Sequence, residues 1–217
     1  MATATVVHIR GVDKMSWIQT FSGKSFSFVD PEHDSIELVD IAHSLGMQCR
    51  FNGHTKRFYS VAEHSYWASI RAADLASARV KAGAITKEYG VAVTKTALMH
   101  DAGEAFVGDM VRPLKMLPGM ELFSAIEAKV INRIWEKYKF PVDAVALEIT
   151  RQADLEMLAI EQRDVMGPCY RAWESMVPIP EPNFVKIEFW SPEVAKARWL
   201  GLAQTLQIKG TAPSLKV

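Results

Sequence analysis

Apolar positions recur at two different periods along this chain, dividing it into a short pleated beginning and a long helical remainder. Trp17, Ile18, Phe21, Phe26 and Phe28 suit a half-buried strand surface, with a turn at Ser22-Gly23 and an end at Asp30-Pro31. With Val6-Val7-His8-Ile9-Arg10 they predict an N-terminal β-hairpin within about residues 6–30. The period then lengthens. Ser35 is placed to cap a helix through Ile36, Val39, Ala42 and Leu45 that stops at Gly46, and a polar connector carrying Arg50, Lys56 and Arg57 follows. Ser60-Val61-Ala62-Glu63 has the form of a capping box, which assigns Glu63 a structural role and opens a helix through Trp67, Ile70, Arg71 and Leu75. The stretch from Ala76 to Gly90 is less regular, with Gly83 and Gly90 bracketing a short helix.

Thr96 to Phe106 reads as one buried helix with apolar residues on both sides of His100, Asp101 and Glu104. Gly108 ends it, and Pro113 blocks continuation of a helix in the ordered loop that reaches Lys115. Leu122, Ile126, Val130, Ile134 and Tyr138 mark one stripe of a helix from Met120 to Tyr138. Asp143 caps another that runs to about Met166, with Leu147, Arg151, Asp154, Met157, Leu158 and Val165 on one face. Prolines 178, 180, 182 and 192 make residues 177–192 an extended arm, and Ser191-Pro192-Glu193 opens a last helix through Trp199 and Leu200. The expected fold class is therefore all-α with a small N-terminal β-hairpin, over one domain spanning residues 1–217.

Composition narrows the function. Lys plus Arg and Asp plus Glu both number 25, so no basic field invites a nucleic-acid polymer. No apolar run approaches the roughly 18–20 residues of a membrane span. Cys49 and Cys169 form no C-x-x-C pair and no secretory stretch opens the chain, so reduced thiols in the cytoplasm are the expectation.

The chemistry concentrates at a few polar groups in apolar settings. A carboxylate buried beside an imidazole is costly unless a cation meets it, and a divalent metal ion would supply one. On a helix His100 and Glu104 share a face, while the adjacent His100 and Asp101 diverge and could grip an ion from two sides. His64, in the first turn of its helix, is either a satisfied core histidine or a group projecting into a cavity. Asp154, among apolar neighbours, is either paired with Arg151 or a ligand. Two imidazoles with two carboxylates suit a first-row transition ion better than Ca²⁺.

A His, a later His-Asp and a still later Asp, in Ser60-Val61-Ala62-Glu63-His64-Ser65, His100-Asp101-Ala102-Gly103-Glu104 with Gly108-Asp109, and Ala153-Asp154-Leu155, resemble the HD-domain metal phosphohydrolases over about Ile41 to Arg163. The small members acting on deoxynucleotides, 5′-deoxynucleotidases and phage enzymes that degrade dATP, are the nearest match. The resemblance implies an HD-type helical bundle with His64, His100, Asp101 and Asp154 as metal ligands. It implies Glu104 as the residue that positions or deprotonates the attacking water, and Asp109 beside the scissile phosphate or sugar. Arg50 and Phe51 match an Arg-aromatic pair that contacts phosphate and base, with phenylalanine where tryptophan is the family's residue. Arg112 and Lys115 are further cations for the phosphate, Arg112 the better placed by its motif neighbours.

The implied cofactor is a divalent transition metal, Co, Mn or Zn, with Mg as a possible second ion. The implied partner is a small-molecule nucleotide, handled by a homo-oligomer in the cytoplasm, or in the host's cytoplasm for a phage-encoded chain. Two other readings stand beside this one. Hydrolases of guanosine 3′-pyrophosphate alarmones carry a second acid after the glutamate, where this chain has Ala105. A catalytically silent metal-holding sensor or scaffold would have no use for both Glu104 and Asp109.

Overall fold

The computed structural model describes residues 16–173, 177–180 and 185–209. The strand-like run Val6–Arg10 and the arm's Pro182 lie outside the described residues. Strands β1 (Trp17–Gln19) and β2 (Ser25–Ser27) pair antiparallel, Ile18 opposite Phe26. The turn between them closes through Thr20 N–H to Lys24 O at 2.8 Å, with Gly23 at φ +85°. Phe26 is fully buried and stacks on Phe106 at 3.9 Å, so the hairpin is anchored to the helical core from one face.

Among the described residues eight α-helices follow: α1 (Leu38–Met47), α2 (Val61–Lys81), α3 (Lys87–Leu98), α4 (Glu104–Val107), α5 (Arg112–Lys115), α6 (Glu121–Tyr138), α7 (Ala144–Asp164) and α8 (Pro192–Thr205). Among the described residues none is long and apolar enough to cross a membrane. The all-α class with its N-terminal hairpin thus holds. Ile41, Leu45, Val61, Leu98, Met99, Val130, Ile134, Trp190 and Trp199 build the main core, joining α1, α2, α3, α6 and α8. A second apolar cluster lines α2, α3 and α7, where Ala72, Ala97, Ala146 and Ala153 let the helices approach closely.

Several boundaries differ from the pattern, each for a packing reason. Ser35 sits in a 3-10 turn (His33–Ser35), and Glu37 is the residue before α1. Gly46 lies inside α1 because α8 crosses there: a Cβ at Gly46 would stand 2.9 Å from Pro192 O. Gly90 likewise lies inside α3, its missing side chain letting Ala76 and Val80 of α2 come close. Of the glycines thought to bracket a short helix, only Gly83 is a true break, at φ +72°. Pro113 starts the single turn α5 instead of blocking one, consistent with proline in a first turn. On α6 the foreseen stripe buries Val130 and Ile134 while Leu122 stays 65% exposed. On α7, Leu147 and Arg151 face solvent, and the buried side runs through Ala146, Ile149, Ala153, Met157 and Ile160.

The largest correction concerns Thr96 to Phe106, which is not one helix. α3 ends at Leu98, residues 99–103 turn tightly through Ala102 N–H to Met99 O (3.1 Å) and Glu104 N–H to Asp101 O (2.9 Å), and α4 begins. Side chains from α1 and the residue after it satisfy the carbonyls beyond the break. Ser44 Oγ donates to Ala105 O at 2.7 Å and Gln48 Nε2 to Glu104 O at 3.0 Å. No local propensity signals this break; tertiary partners make it affordable.

Candidate metal centre

The break lets neighbouring side chains converge where a continuous helix would splay them by about 100°. His100 Nε2 lies 3.2 Å from Asp101 Oδ2. From α2, His64 Nε2 arrives 3.3 Å from His100 Nε2 and 3.4 Å from Asp101 Oδ2. From α7, Asp154 Oδ1 stands 3.3 Å from His64 Nε2 and 3.9 Å from His100 Nε2. Arg151, the alternative partner of Asp154, is exposed, and the acid turns to the histidines.

These spacings suit a shared ion. Ligand atoms about 2.0–2.2 Å from one ion stand roughly 3–3.5 Å from each other. Among the described residues, His64, His100 and Asp101 form a group that could hold a metal, their ligand atoms all within 4.8 Å of one another. The tautomers agree with that use. His64 Nδ1 lies 2.6 Å from Glu161 Oε1 and His100 Nδ1 lies 2.7 Å from Ala97 O. Both partners are acceptors, so each Nδ1 carries the proton and each Nε2 keeps its lone pair for the centre.

Electrostatics point the same way. Burial works against the imidazolium of His100, yet Asp101 and Asp154 raise it well above the usual histidine range. Burial would push Asp101 up, but His100, His64 and Arg50 bring it down to about 2. Asp154 is held well below its ordinary value against burial by the same two histidines.

Glu104 lies on the wall beside them, 7% exposed. Burial, with Asp101 and Asp109 nearby, pushes its carboxyl well above the usual carboxylate range against the pull of Arg50 and Lys115. Lys115 Nζ stands 3.5 Å from Glu104 Oε1 and 2.6 Å from Glu127 Oε1, whereas Glu104 Oε2 is buried without a hydrogen-bond partner. Asp109 follows Gly108 (φ +87°) and is fixed by its own N–H donating to Gln48 Oε1 at 3.0 Å.

Of the four residues expected to meet substrate, Lys115 reaches the Glu104 carboxylate while Arg112 is exposed at the start of α5. Arg50 points inward: its guanidinium stands 3.6 Å from Asp101 Oδ2 and 3.2 Å from Glu161 Oε2. Phe51 covers that guanidinium at 5.3 Å and lies 5.8 Å, ring to ring, from Trp173.

Two residues escaped the sequence reading. Glu161, fully buried, accepts from His64 Nδ1 and from Tyr59 Oη at 2.8 Å and pairs with Arg50. Its signal was its distance from Asp154: seven residues, two turns along one helix face. Trp173 gave no signal, since it belongs to an irregular segment.

No family model matches the chain. It is 39% identical over 173 residues to the uncharacterized protein YfdR of Escherichia coli (strain K12), a match covering 80% of this chain and 85% of the relative. This chain belongs to the YfdR family. A second member, the uncharacterized protein RCAP_rcc00048 of Rhodobacter capsulatus, is 32% identical over 178 residues, again 80% of this chain and 85% of the relative. Both matches extend over most of each protein.

Proposed function

We propose that this protein is a metal-dependent phosphohydrolase of the HD-domain type that removes 5′-phosphate or a phosphate chain from deoxynucleotides, dAMP and dATP foremost. The observation that carries the reading is the meeting of His64 Nε2, His100 Nε2, Asp101 Oδ2 and Asp154 Oδ1 beside a buried carboxylate, Glu104, with one oxygen unpartnered. Glu104 offers a carboxylate whose affinity for a proton is raised by burial and by Asp101 and Asp109, which strengthens it as a base. Lys115 holds its other oxygen, orienting the carboxylate as the proton is taken.

His64, His100, Asp101 and Asp154 would hold the metal, Co, Mn or Zn with Mg as a possible second ion, which when bound would polarise the phosphoryl group and lower the pKa of a bound water to about 7. Asp154, 41% exposed, stands on the open side where substrate would enter. Lys115 and Arg112 supply cations for phosphate oxygens, Asp109 a polar group for the sugar side, and Phe51 an apolar face for the base. A close-fitting wall at the sugar gives deoxy-over-ribo selection of up to about 10²-fold, the limit for rejecting an added hydroxyl without a hydrogen-bond mismatch.

A screen of deoxy- and ribonucleotides at each phosphorylation level, with Mn, Co, Zn and Mg, tests the reading. Deoxynucleotides should be cleaved preferentially by the metal-loaded protein, and Glu104→Gln should keep metal and fold while losing most turnover. Equal rates on ribo- and deoxynucleotides would replace the assignment with a general nucleotidase. No hydrolysis by a metal-loaded parent would leave a silent metal-holding protein.

A further inference from the structure

The strongest feature outside the four converging atoms is the buried pair that braces them from behind. We infer that Arg50 and Glu161 are positioning residues, a bridge that fixes two metal-holding side chains on different elements: Glu161 orients His64, and Arg50 orients Asp101. This inference rests on the metal-holding reading of the site, and not on any particular substrate.

Glu161 is fully buried and meets three side-chain donors, His64 Nδ1 at 2.6 Å, Tyr59 Oη at 2.8 Å and Arg50 at 3.2 Å. A carboxylate on the far nitrogen of a metal-binding imidazole fixes its tautomer and ring plane and makes the near nitrogen a better donor. Left alone in that position, a buried carboxylate would be strongly unfavourable, and the Arg50 guanidinium is its counter-charge. The same guanidinium reaches Asp101 Oδ2 at 3.6 Å, so one cation connects the carboxylate behind His64 with the carboxylate in front of it.

Arg50 is largely enclosed where it stands. Its side chain is 12% exposed, its Nε is buried without a partner, and the Phe51 ring covers its plane. The backbone that delivers it is itself unusual: Phe51, Asn52 and Gly53 stand at φ +55°, +50° and +79° in succession. Left-handed residues other than glycine persist only where surrounding structure over-determines them. Here that surrounding includes the Arg50 bridge and the Arg50 N–H bond to Tyr59 O at 2.9 Å.

The test is a Co²⁺ titration of the metal-free full chain, followed by the visible d–d absorption, with the melting temperature of each metal-free variant measured alongside. Glu161→Gln keeps the volume and one acceptor but loses the charge, and its Kd for Co²⁺ should rise about 10–100-fold with an altered d–d spectrum. Arg50→Lys, a point charge too compact to span both carboxylates, should raise it about tenfold. A purely structural role would lower the melting temperature and leave both the Co²⁺ Kd and the spectrum as in the parent. Folded Glu161→Gln and Arg50→Lys proteins with Kd values within about twofold of the parent overturn the bridge while leaving the metal-holding reading intact. A parent that binds no Co²⁺ overturns both. Should Glu161→Gln fail to fold, Tyr59→Phe, which removes one donor from Glu161 alone, decides: a severalfold weaker Kd supports the bridge and an unchanged one overturns it.

Discussion

Two carboxylates, Glu63 and Glu161, are both fully buried on either side of the first turn of α2, and they are satisfied in opposite ways. Glu63 points to the segment before α8 and accepts three backbone N–H groups, Glu188 at 2.8 Å, Phe189 at 3.2 Å and Trp190 at 2.8 Å. Glu161 meets side chains only: a guanidinium, an imidazole and a phenol. Burial pushes Glu63 up and the backbone donors only partly offset it, whereas at Glu161 burial is overcome by Arg50 and His64 and the carboxyl stays below its ordinary value. Backbone dipoles can hold a carboxylate in place. Full charges also set its ionisation, and only the second kind of site passes that influence on to a neighbour such as His64. The first is a fastening, the second a brace for a side chain of the candidate metal centre.

The largest effects that would separate them are on stability. Glu161→Ala leaves Arg50 facing an emptied site and should cost about 3–5 kcal/mol, the usual penalty for breaking a buried ion pair. Glu63→Ala strands one buried backbone donor, the Trp190 N–H, while those of Glu188 and Phe189 can turn to solvent, and should cost roughly 1–3 kcal/mol; urea unfolding of the metal-free proteins measures both, and a reversed order would break the comparison. Metal-linked stabilisation comes next. At a metal concentration a hundred times Kd, the parent and Glu63→Gln should each gain about 2.7 kcal/mol over their metal-free forms, and Asp101→Ala should gain nothing. Gain lost in Glu63→Gln would mean that the fastening also shapes the centre. The smallest effect is local: amide exchange at Glu188, Phe189 and Trp190 should quicken in Glu63→Gln and keep its parental rate in Tyr59→Phe. Mass spectrometry of the peptide carrying these residues reads it directly, and equal acceleration in both variants would merge the two regions into one.

How far these features could be read from the sequence depends on how local their causes are. His100 and Asp101 were legible because charge in an apolar stretch needs a partner, while His64 and Asp154 stayed open on their own and were singled out by the HD-domain resemblance; the structure brings all four together. Asp143 and Ser191 cap α7 and α8 as their chemistry foretells, since a cap is decided within three residues. Glu63 was legible only in part. Ser60 Oγ does accept its N–H at 3.1 Å, but the Glu63 side chain leaves the capping box for partners more than a hundred residues away. The same distance hid Glu161, 97 residues from His64 and set in a run of charges that looks like a solvated helix end. Gly46 and Gly90 misled for a related reason. Glycine is a stop signal within one helix and a docking notch between two, and only the second helix tells which.

That notch at Gly46 has a temporal consequence. Helix α1 needs α8 to cover Ile41 and Leu45, and about 145 residues of chain separate Gly46 from Pro192. During synthesis α1 would therefore leave the ribosome long before its partner exists, its apolar face awaiting Trp190 and Trp199, while α2, α3 and α7 could already gather behind it. The segment that completes the main core is made long after α1, so over that interval the nascent chain would carry a nearly assembled candidate centre beside an open seam.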